Sequence, residues 1–400
     1  LAGRSGNCTV VLEATGDAEP PVAMQALDGL VPACKDTAPI LERLRLLSDS
    51  LLDSVSKYPW QVGARGLAAL ARFAPAEATT LVQKRELFAH SRWQLRASIA
   101  TVAGRVRSES TLLTLVKDDQ ANVRNAALEG LRAMGSARLF AEAIDALEST
   151  DFQLVRTAAA SLKGATASTD TSMALVRALK RLTDDGKDTS RDPRLAIIER
   201  LTEQNVPDVV PFLLPLLQDF DIDVAMAAKA LCDRLVPNAN YTVAPQVRTL
   251  QQASLEYVQQ LPKMATIIMQ SGDRIELELL ADAPMTVARF ASLASKGYYD
   301  GLTFHRFVSN FVVQGGSPGA SEYVGDARFM RDELGRSPHL RGAVGISTRG
   351  HDTGDAQIFF DLVDLPRLDH DYTVFAYIRS GASAMDRILE GATIASVVAR

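Results

Sequence analysis

Phe304-His305-Arg306-Phe307-Val308-Ser309-Asn310-Phe311-Val312-Val313-Gln314-Gly315-Gly316 decides how the carboxy-terminal third of this 400-residue chain is read. The stretch from Phe304 to Gln314 reads as short-strand structure. Working outward, Gly342 to Ser347, Gln357 to Leu362 and Tyr372 to Ile378 read the same way. Upstream, Ala265 to Gln270, a turn at Ser271-Gly272-Asp273, and Arg274-Ile275-Glu276-Leu277-Glu278-Leu279 predict a β-hairpin, since the second arm alternates apolar and polar residues. A helix is predicted from about Pro284 to Lys296, with proline at its start and Gly297 just past its end. Short strands joined by Gly- and Asp-rich turns, with few helices, predict a closed β-barrel.

Before this region the periodicity is helical. Val62-Gly63-Ala64-Arg65-Gly66-Leu67, Leu95-Arg96-Ala97-Ser98-Ile99, Val123-Arg124-Asn125-Ala126-Ala127, Val155-Arg156-Thr157-Ala158-Ala159 and Val224-Ala225-Met226-Ala227-Ala228 are loose copies of one unit, and Arg194-Leu195-Ala196-Ile197 is a degenerate one. Arg96, Arg124 and Arg156 recur about every 30 residues, a spacing typical of stacked helical pairs. Small residues let such helices approach closely, and Asp118-Asp119-Gln120 and Thr150-Asp151 stand where helix caps are expected. The pattern resembles HEAT repeats. The repeated arginines are expected to pack between repeats and pair with neighbouring acids rather than to bind a ligand. The chain therefore divides into a helical-repeat domain over 1–235, a linker over 236–262 with a short helix near Ser254 to Gln260, and a barrel domain over 263–400.

A hydrophobic content of 47% with 23% charged residues suits packed globular domains, and the net charge of −5 without a basic cluster argues against a nucleic-acid partner. The most apolar short run, Val209 to Leu217, is too short to span a bilayer and carries Pro211 and Pro215, so no transmembrane segment is expected. The chain opens at Leu1 without an initiator Met, as a processed form or a piece of a longer chain would, so any signal peptide or lipid-anchor segment is out of view and its absence is uninformative. An extracytoplasmic location, periplasmic or membrane-anchored, is the favoured expectation. Cys8 and Cys34 flank a Pro-rich stretch and could close a disulfide in an oxidising compartment, but scattered cysteines more commonly remain free buried thiols, and that is the expectation here.

The quoted run resembles the cyclophilin signature, a Phe-His-Arg triplet followed by a Phe and a Gln-Gly-Gly turn. Two further blocks stand in that family's order: Gly342 through Gln357-Ile358-Phe359-Phe360, and Leu368-Asp369-His370-Asp371-Tyr372-Thr373-Val374-Phe375. The resemblance covers about a third of the chain. It implies a cyclophilin-like barrel with flanking helices behind an all-α HEAT-like solenoid, and an activity, peptidyl-prolyl cis/trans isomerisation of proline-containing polypeptides.

The chemistry suits those residues. The bond before proline isomerises slowly because amide resonance sets a barrier of roughly 18–20 kcal/mol. Twisting it frees a lone pair on the prolyl nitrogen, which a fixed cationic donor stabilises. No nucleophile, metal or other cofactor is required. The resemblance assigns the donor to Arg306, with Gln314 orienting it and holding substrate backbone, and Phe311 as the third catalytic position. Phe311, Val312, Phe359 and Leu368 are expected to form the proline pocket. Ser347, Thr348 and Arg349 are expected to meet the substrate through their main chain, Gln357 to lie in the wall of the neighbouring groove, and Tyr372 to mark the bacterial form. Arg367 stands where many eukaryotic members carry tryptophan, which puts tight cyclosporin binding in doubt.

Gln314-Gly315-Gly316-Ser317-Pro318-Gly319 is not a phosphate loop, since it lacks the Lys-Ser/Thr ending. His305, His339, His351 and His370 are too scattered for a metal set and are expected to be surface or hydrogen-bonding residues. Two rivals stand beside the enzyme reading: a proline-peptide binder without turnover, and a scaffold in which the repeats are the working part and bind a protein partner. Arg306, Phe311 and Gln314 together disfavour the first, because a pure binder needs no donor aimed at the imide nitrogen.

Overall fold

A computed structural model describes residues 8–35, 37–53, 55–246 and 254–400. Part of the expected linker, 247–253, lies outside the described residues. The chain forms two compact units, residues 1–149 with 160–162, and residues 150–159 with 163–400.

The first unit holds α1 (Thr9–Ala14), α2 (Pro20–Gly29), α3 (Ala38–Asp49), α4 (Trp60–Phe73), α5 (Pro75–Val82), α6 (Arg85–Phe88), α7 (Trp93–Arg105), α8 (Glu109–Leu115), α9 (Ala121–Met134) and α10 (Leu139–Ala146). Each long helix buries one apolar stripe, such as Leu95, Ile99, Val102 and Ala103 on α7. Helices α7 and α9 cross at Gly104 and Gly130, where a Cβ on Gly104 would stand 2.7 Å from the Gly130 Cα; only glycine permits that approach. Arg96 makes a two-pronged ion pair with Asp118, both contacts at 2.7 Å, and a third contact to Asp119 at 2.7 Å. The expected pairing of a repeat arginine with neighbouring acids is thus present at Arg96, and the acids come from the next repeat. Asp118 does not cap α9 through its side chain but accepts from the Gln120 N–H at 2.9 Å.

Cys8 and Cys34 are joined by a disulfide, with S–S at 2.03 Å. This corrects the expectation of free thiols; α1 and α2 bring together two residues that are 26 apart in sequence. Cys232 is free and buried. Alkylation of denatured but unreduced protein should therefore modify one of the three cysteines, and reduction should raise that to three. Three modified residues without reduction would contradict the disulfide.

The second unit begins with all but the last two residues of α11 (Phe152–Ser161), followed by α12 (Thr169–Asp184), α13 (Arg191–Gln204), α14 (Val210–Leu213), α15 (Ile222–Leu235) and the short α16 (Leu255–Gln259). Asp151 caps α11, its Oδ1 accepting from the Leu154 N–H at 2.9 Å. Arg194, in the degenerate repeat, is fully buried against Asp219 at 2.6 Å and over the Phe220 ring. The apolar run near Val209 is broken into short helical turns, and among the described residues no helix is long and apolar enough to cross a membrane.

The barrel follows: β1 (Met264–Met269), β2 (Arg274–Leu279), α17 (Pro284–Ser295), β3 (Thr303–Phe307), β4 (Val312–Gly315), β5 (Ala343–Ile346), β6 (Ile358–Asp361), β7 (Val374–Ser380), α18 (Ala382–Asp386) and β8 (Ala392–Ala399). Its closed order is β1-β2-β7-β5-β6-β4-β3-β8, every described pairing antiparallel. The expected hairpin pairs Ala265 with Leu277 and Ile267 with Ile275. Strand β8, absent from the sequence expectation, closes the barrel between β1 and β3; Ala392–Ala399 is apolar almost throughout and shows no alternation. Inward residues including Ile267, Leu277, Phe304, Val313, Val344, Phe360, Phe375 and Ile394 form one core with Val287 and Phe290 of α17.

Candidate active site

The register of four strands builds the site. Residues facing one another across an antiparallel pair project to the same side of the sheet. Arg306 on β3 opposes Gln314 on β4, Gln314 opposes Phe359 on β6, and Phe359 opposes Gly345 on β5. Inward-facing Val313, Phe360 and Val344 form the neighbouring row, so the first row must face out. A tight turn between β3 and β4, with Asn310 in the left-handed region at φ 55°, sets this pairing, and the Val308 N–H donates to the Val312 carbonyl at 2.9 Å. Gly345 carries no side chain, and the Phe359 ring lies across that space. A Cβ there would stand 2.7 Å from Phe359 Cε1 and closer still to Cζ.

The row opens into a pocket of about 200 Å³, lined by Arg306, Phe311, Val312, Gln314, Glu322, Ser347, Thr348, Arg349, Phe359, Leu368 and Tyr372. Ten of the expected site residues therefore meet in one place. The eleventh, Gln357, is buried beneath the wall and not in its lining. Its Nε2 donates to the carbonyls of Glu322 at 3.1 Å and Val324 at 3.2 Å, while its Oε1 accepts from Gln314 Nε2 at 3.1 Å. Gln314 also donates to Ser347 Oγ at 2.9 Å, and its Oε1 accepts from Arg306 Nη1 at 3.3 Å. With both ends of its amide engaged, Gln314 holds one orientation, its Oε1 facing the Arg306 guanidinium.

Arg306 remains 37% exposed, and so can reach a ligand. Burial, with the Arg306 charge beside it, pushes His305 down to about 4, leaving that ring uncharged at neutral pH. Val312, Phe359, Leu365 and Leu368 form an apolar cluster separate from the barrel core, with Phe311 and Tyr372 packed against it. His339 stacks on Phe359 with centroids 5.8 Å apart and is fixed from behind by Asp361 at 2.8 Å. Arg367 lies over the Phe311 ring at 4.4 Å and Arg306 lies 5.8 Å from the same ring.

Glu322 was not among the expected residues, although its carboxylate lies 3.4 Å from Arg306 Nε. It comes from a loop without periodicity, so nothing local in its sequence marks it.

Residues 264–398 match the family described as cyclophilin type peptidyl-prolyl cis-trans isomerase/CLD, and residues 84–163 match HEAT repeats. A peptidyl-prolyl cis-trans isomerase of Helicobacter pylori (strain ATCC 700392 / 26695) is 43% identical over 139 residues, which cover 34% of this chain and 85% of the relative. The chain belongs to the cyclophilin-type peptidyl-prolyl isomerases. Peptidyl-prolyl cis-trans isomerase B of Bacillus subtilis (strain 168) is 39% identical over 122 residues, 30% of this chain and 85% of its own. A solved Cryptosporidium parvum cyclophilin-type isomerase aligns over 35% of this chain and 98% of its own length at 22% identity, with a TM-score of 0.33. The cyclophilin activity, isomerisation of bonds preceding proline in peptides, thus accompanies a helical region with HEAT repeats.

Asp355, like Asp361, is a buried acid behind the lining of this cyclophilin site. Its Oδ1 accepts from the N–H groups of Ala356 at 2.6 Å and Gln357 at 2.9 Å, fixing the approach to β6. Burial pushes its pKa up to about 6, Arg349 partly opposing the rise. An unfolded carboxyl titrates near 3.9, so between about pH 4 and pH 6 the folded chain keeps a proton that the unfolded chain releases. This group's contribution to stability therefore falls as pH rises through that window. Asp355→Asn removes this dependence: urea melts should show the variant gaining about 2 kcal/mol on the unaltered chain between pH 4 and pH 7.5, less than the full effect of moving one carboxyl from about 3.9 to about 6 because the unfolded carboxyl is already half ionised at pH 4. A difference that stays constant with pH would contradict this.

Proposed function

We propose that the Arg306 guanidinium donates to the prolyl nitrogen of a twisted Xaa-Pro amide seated over the Phe311, Val312, Phe359 and Leu368 cluster. The single observation that carries this reading is the outward row Arg306, Gln314, Phe359 and Gly345, which sets a cation held by Gln314 beside an apolar cluster open to solvent. Planar isomers keep the nitrogen lone pair in resonance and offer it no donor site, so the interaction strengthens only as the bond twists. A guanidinium suits the task because it keeps its charge and presents several donors in a rigid fork. Gln314, Ser347, Thr348 and Arg349 would hold the substrate backbone, and Gln357 and Tyr372 would shape the groove beside them. The test is a prolyl-isomerisation assay of the full chain on a short Xaa-Pro peptide, set against Arg306→Ala; equal rates would end the assignment.

The same reading divides the chain into helical repeats over 1–235, a linker over 236–262 and the isomerase domain over 263–400, supported by α15 ending at Leu235 and β1 starting at Met264. The repeats would bind a protein client or partner, since stacked helices expose an extended surface. The net charge of −5 supports a polypeptide over a polyanion. The Cys8–Cys34 disulfide supports an extracytoplasmic setting.

A further inference from the structure

Within the second unit, the pocket wall is tied to helices that precede the barrel. Asp188, in the turn before α13, donates its N–H to the Ala327 carbonyl at 2.8 Å and accepts from the Phe329 N–H at 3.0 Å through Oδ2. In the first turn of α13, the Asp192 carboxylate binds Arg349 Nε at 2.6 Å. Arg349 in turn donates to the Glu322 carbonyl and lines the pocket. Both side chains of the Asp192–Arg349 pair are largely shielded, 22% and 13% exposed, so solvent screens this pair far less than a surface one.

Aromatic rings extend the tie. Tyr323 lies under Arg156 of α11 at 4.6 Å and under Arg349 at 5.4 Å; Phe329 lies under Arg349 at 5.7 Å and under Arg191 of α13 at 5.2 Å. Arg156, Tyr323, Arg349, Phe329 and Arg191 thus form a continuous chain of cation–ring contacts from helix to pocket wall and back. Segment 322–329 carries no strand; these contacts share its placement with Gln357, with Ser317, which donates to the Val324 carbonyl at 2.6 Å, and with Arg289 of α17, which pairs with Asp326. Arg349 is not a free cation for an incoming peptide, because Asp192 already occupies its Nε.

We propose that Asp192 is a positioning residue of the isomerase: by holding Arg349 it fixes the pocket wall at Glu322 and Tyr323, so that the helical repeats set how tightly the groove grips the peptide beside the proline. The inference rests on the pocket being the isomerase site. It assigns Asp192 to peptide affinity and not to the twisting step, because the pair reaches Arg306 through Glu322, whereas Gln314 holds the guanidinium directly.

The test uses the full chain and a proline peptide of at least six residues. Asp192→Asn should raise KM about fivefold and leave kcat within about twofold, the size expected when a supporting contact outside a site is lost. Asp192→Glu, which keeps the carboxylate, should restore most of the affinity. In an Arg349→Gln background, Asp192→Asn should add nothing further. An unmoved KM, or effects of the two substitutions that multiply, would overturn the proposal. Hydrogen exchange on the unaltered chain gives a second arm that needs no variant. The Phe329 amide should be protected as strongly as the amides of α13, and exchange at the rate of an open loop would refute the docking. An inactive wild-type chain removes the isomerase reading and leaves the exchange arm standing; an active chain with an indifferent Asp192→Asn removes this inference alone.

Discussion

Arg306→Ala is expected to lower kcat/KM for Xaa-Pro isomerisation by about 10²–10³-fold, the loss of about 2.7–4 kcal/mol that follows removal of one preorganised transition-state donor. The fold should survive. Arg306 is partly exposed, and its contacts to Gln314 at 3.3 Å and Glu322 at 3.4 Å are long, so little stability depends on it. A thermal melt within about 2 °C of the unaltered chain checks this, since surface substitutions usually stay within ±0.5 kcal/mol. Arg306→Lys should recover only part of the rate, because an ammonium cannot bridge Gln314 and the prolyl nitrogen with a planar fork. An alanine variant at full rate would leave the pocket as a peptide-binding surface and nothing more.

Gly345→Ala is expected to reduce kcat/KM by about 10²-fold, the order seen when a site is misplaced by about 1 Å. The methyl would occupy the space over which Phe359 lies, and the ring would have to swing outward into the room meant for proline. Because the ring borders an open pocket rather than the core, the stability cost should stay near 1–3 kcal/mol. Adding Phe359→Leu relieves the overlap. That double variant should regain most of the stability and little of the rate, since the pocket then lacks its largest apolar wall. If Gly345→Ala keeps full activity, Phe359 does not bound the proline site.

The outward row explains why so much of this site was legible from one dimension. Arg306 and Gln314 are eight residues apart around a single tight turn and stand in one block of the family signature, which is what made them legible. Phe359 followed from an ordered block in a recognised family, not from any local rule. Glu322 escaped notice because its position beside Arg306 depends on Gln357 and Arg349 gripping its carbonyl, and neither contact leaves a trace in the residues around 322. His339 was expected only to bond or face solvent. Its role as backing for Phe359 arises from the fold bringing 339, 359 and 361 together.

The repeats show the same division. Periodicity placed helices around Arg96, Arg124 and Arg156, and for Arg96 the expected acid partner lies in the next repeat, because stacked units meet at a fixed spacing. Arg156 broke the pattern and stacks on Tyr323, 167 positions later by residue number. No repeat rule could supply that partner, since it belongs to a different architecture.

By itself the sequence determined the helical repeats, the β1–β2 hairpin and α17 between Pro284 and Gly297; each depends on side-chain period, backbone stiffness or turn geometry over a dozen residues or fewer, whereas the partnership of Arg306 with Gln314 was legible only through the family resemblance. Tertiary structure alone decided that β8 closes the barrel, that Cys8 meets Cys34, and that Asp192 holds Arg349 across 157 positions. Those outcomes depend on which apolar faces bury one another and which charges are then left facing each other in a shielded place. That competition is settled over the whole chain at once, and no window of neighbouring residues contains it.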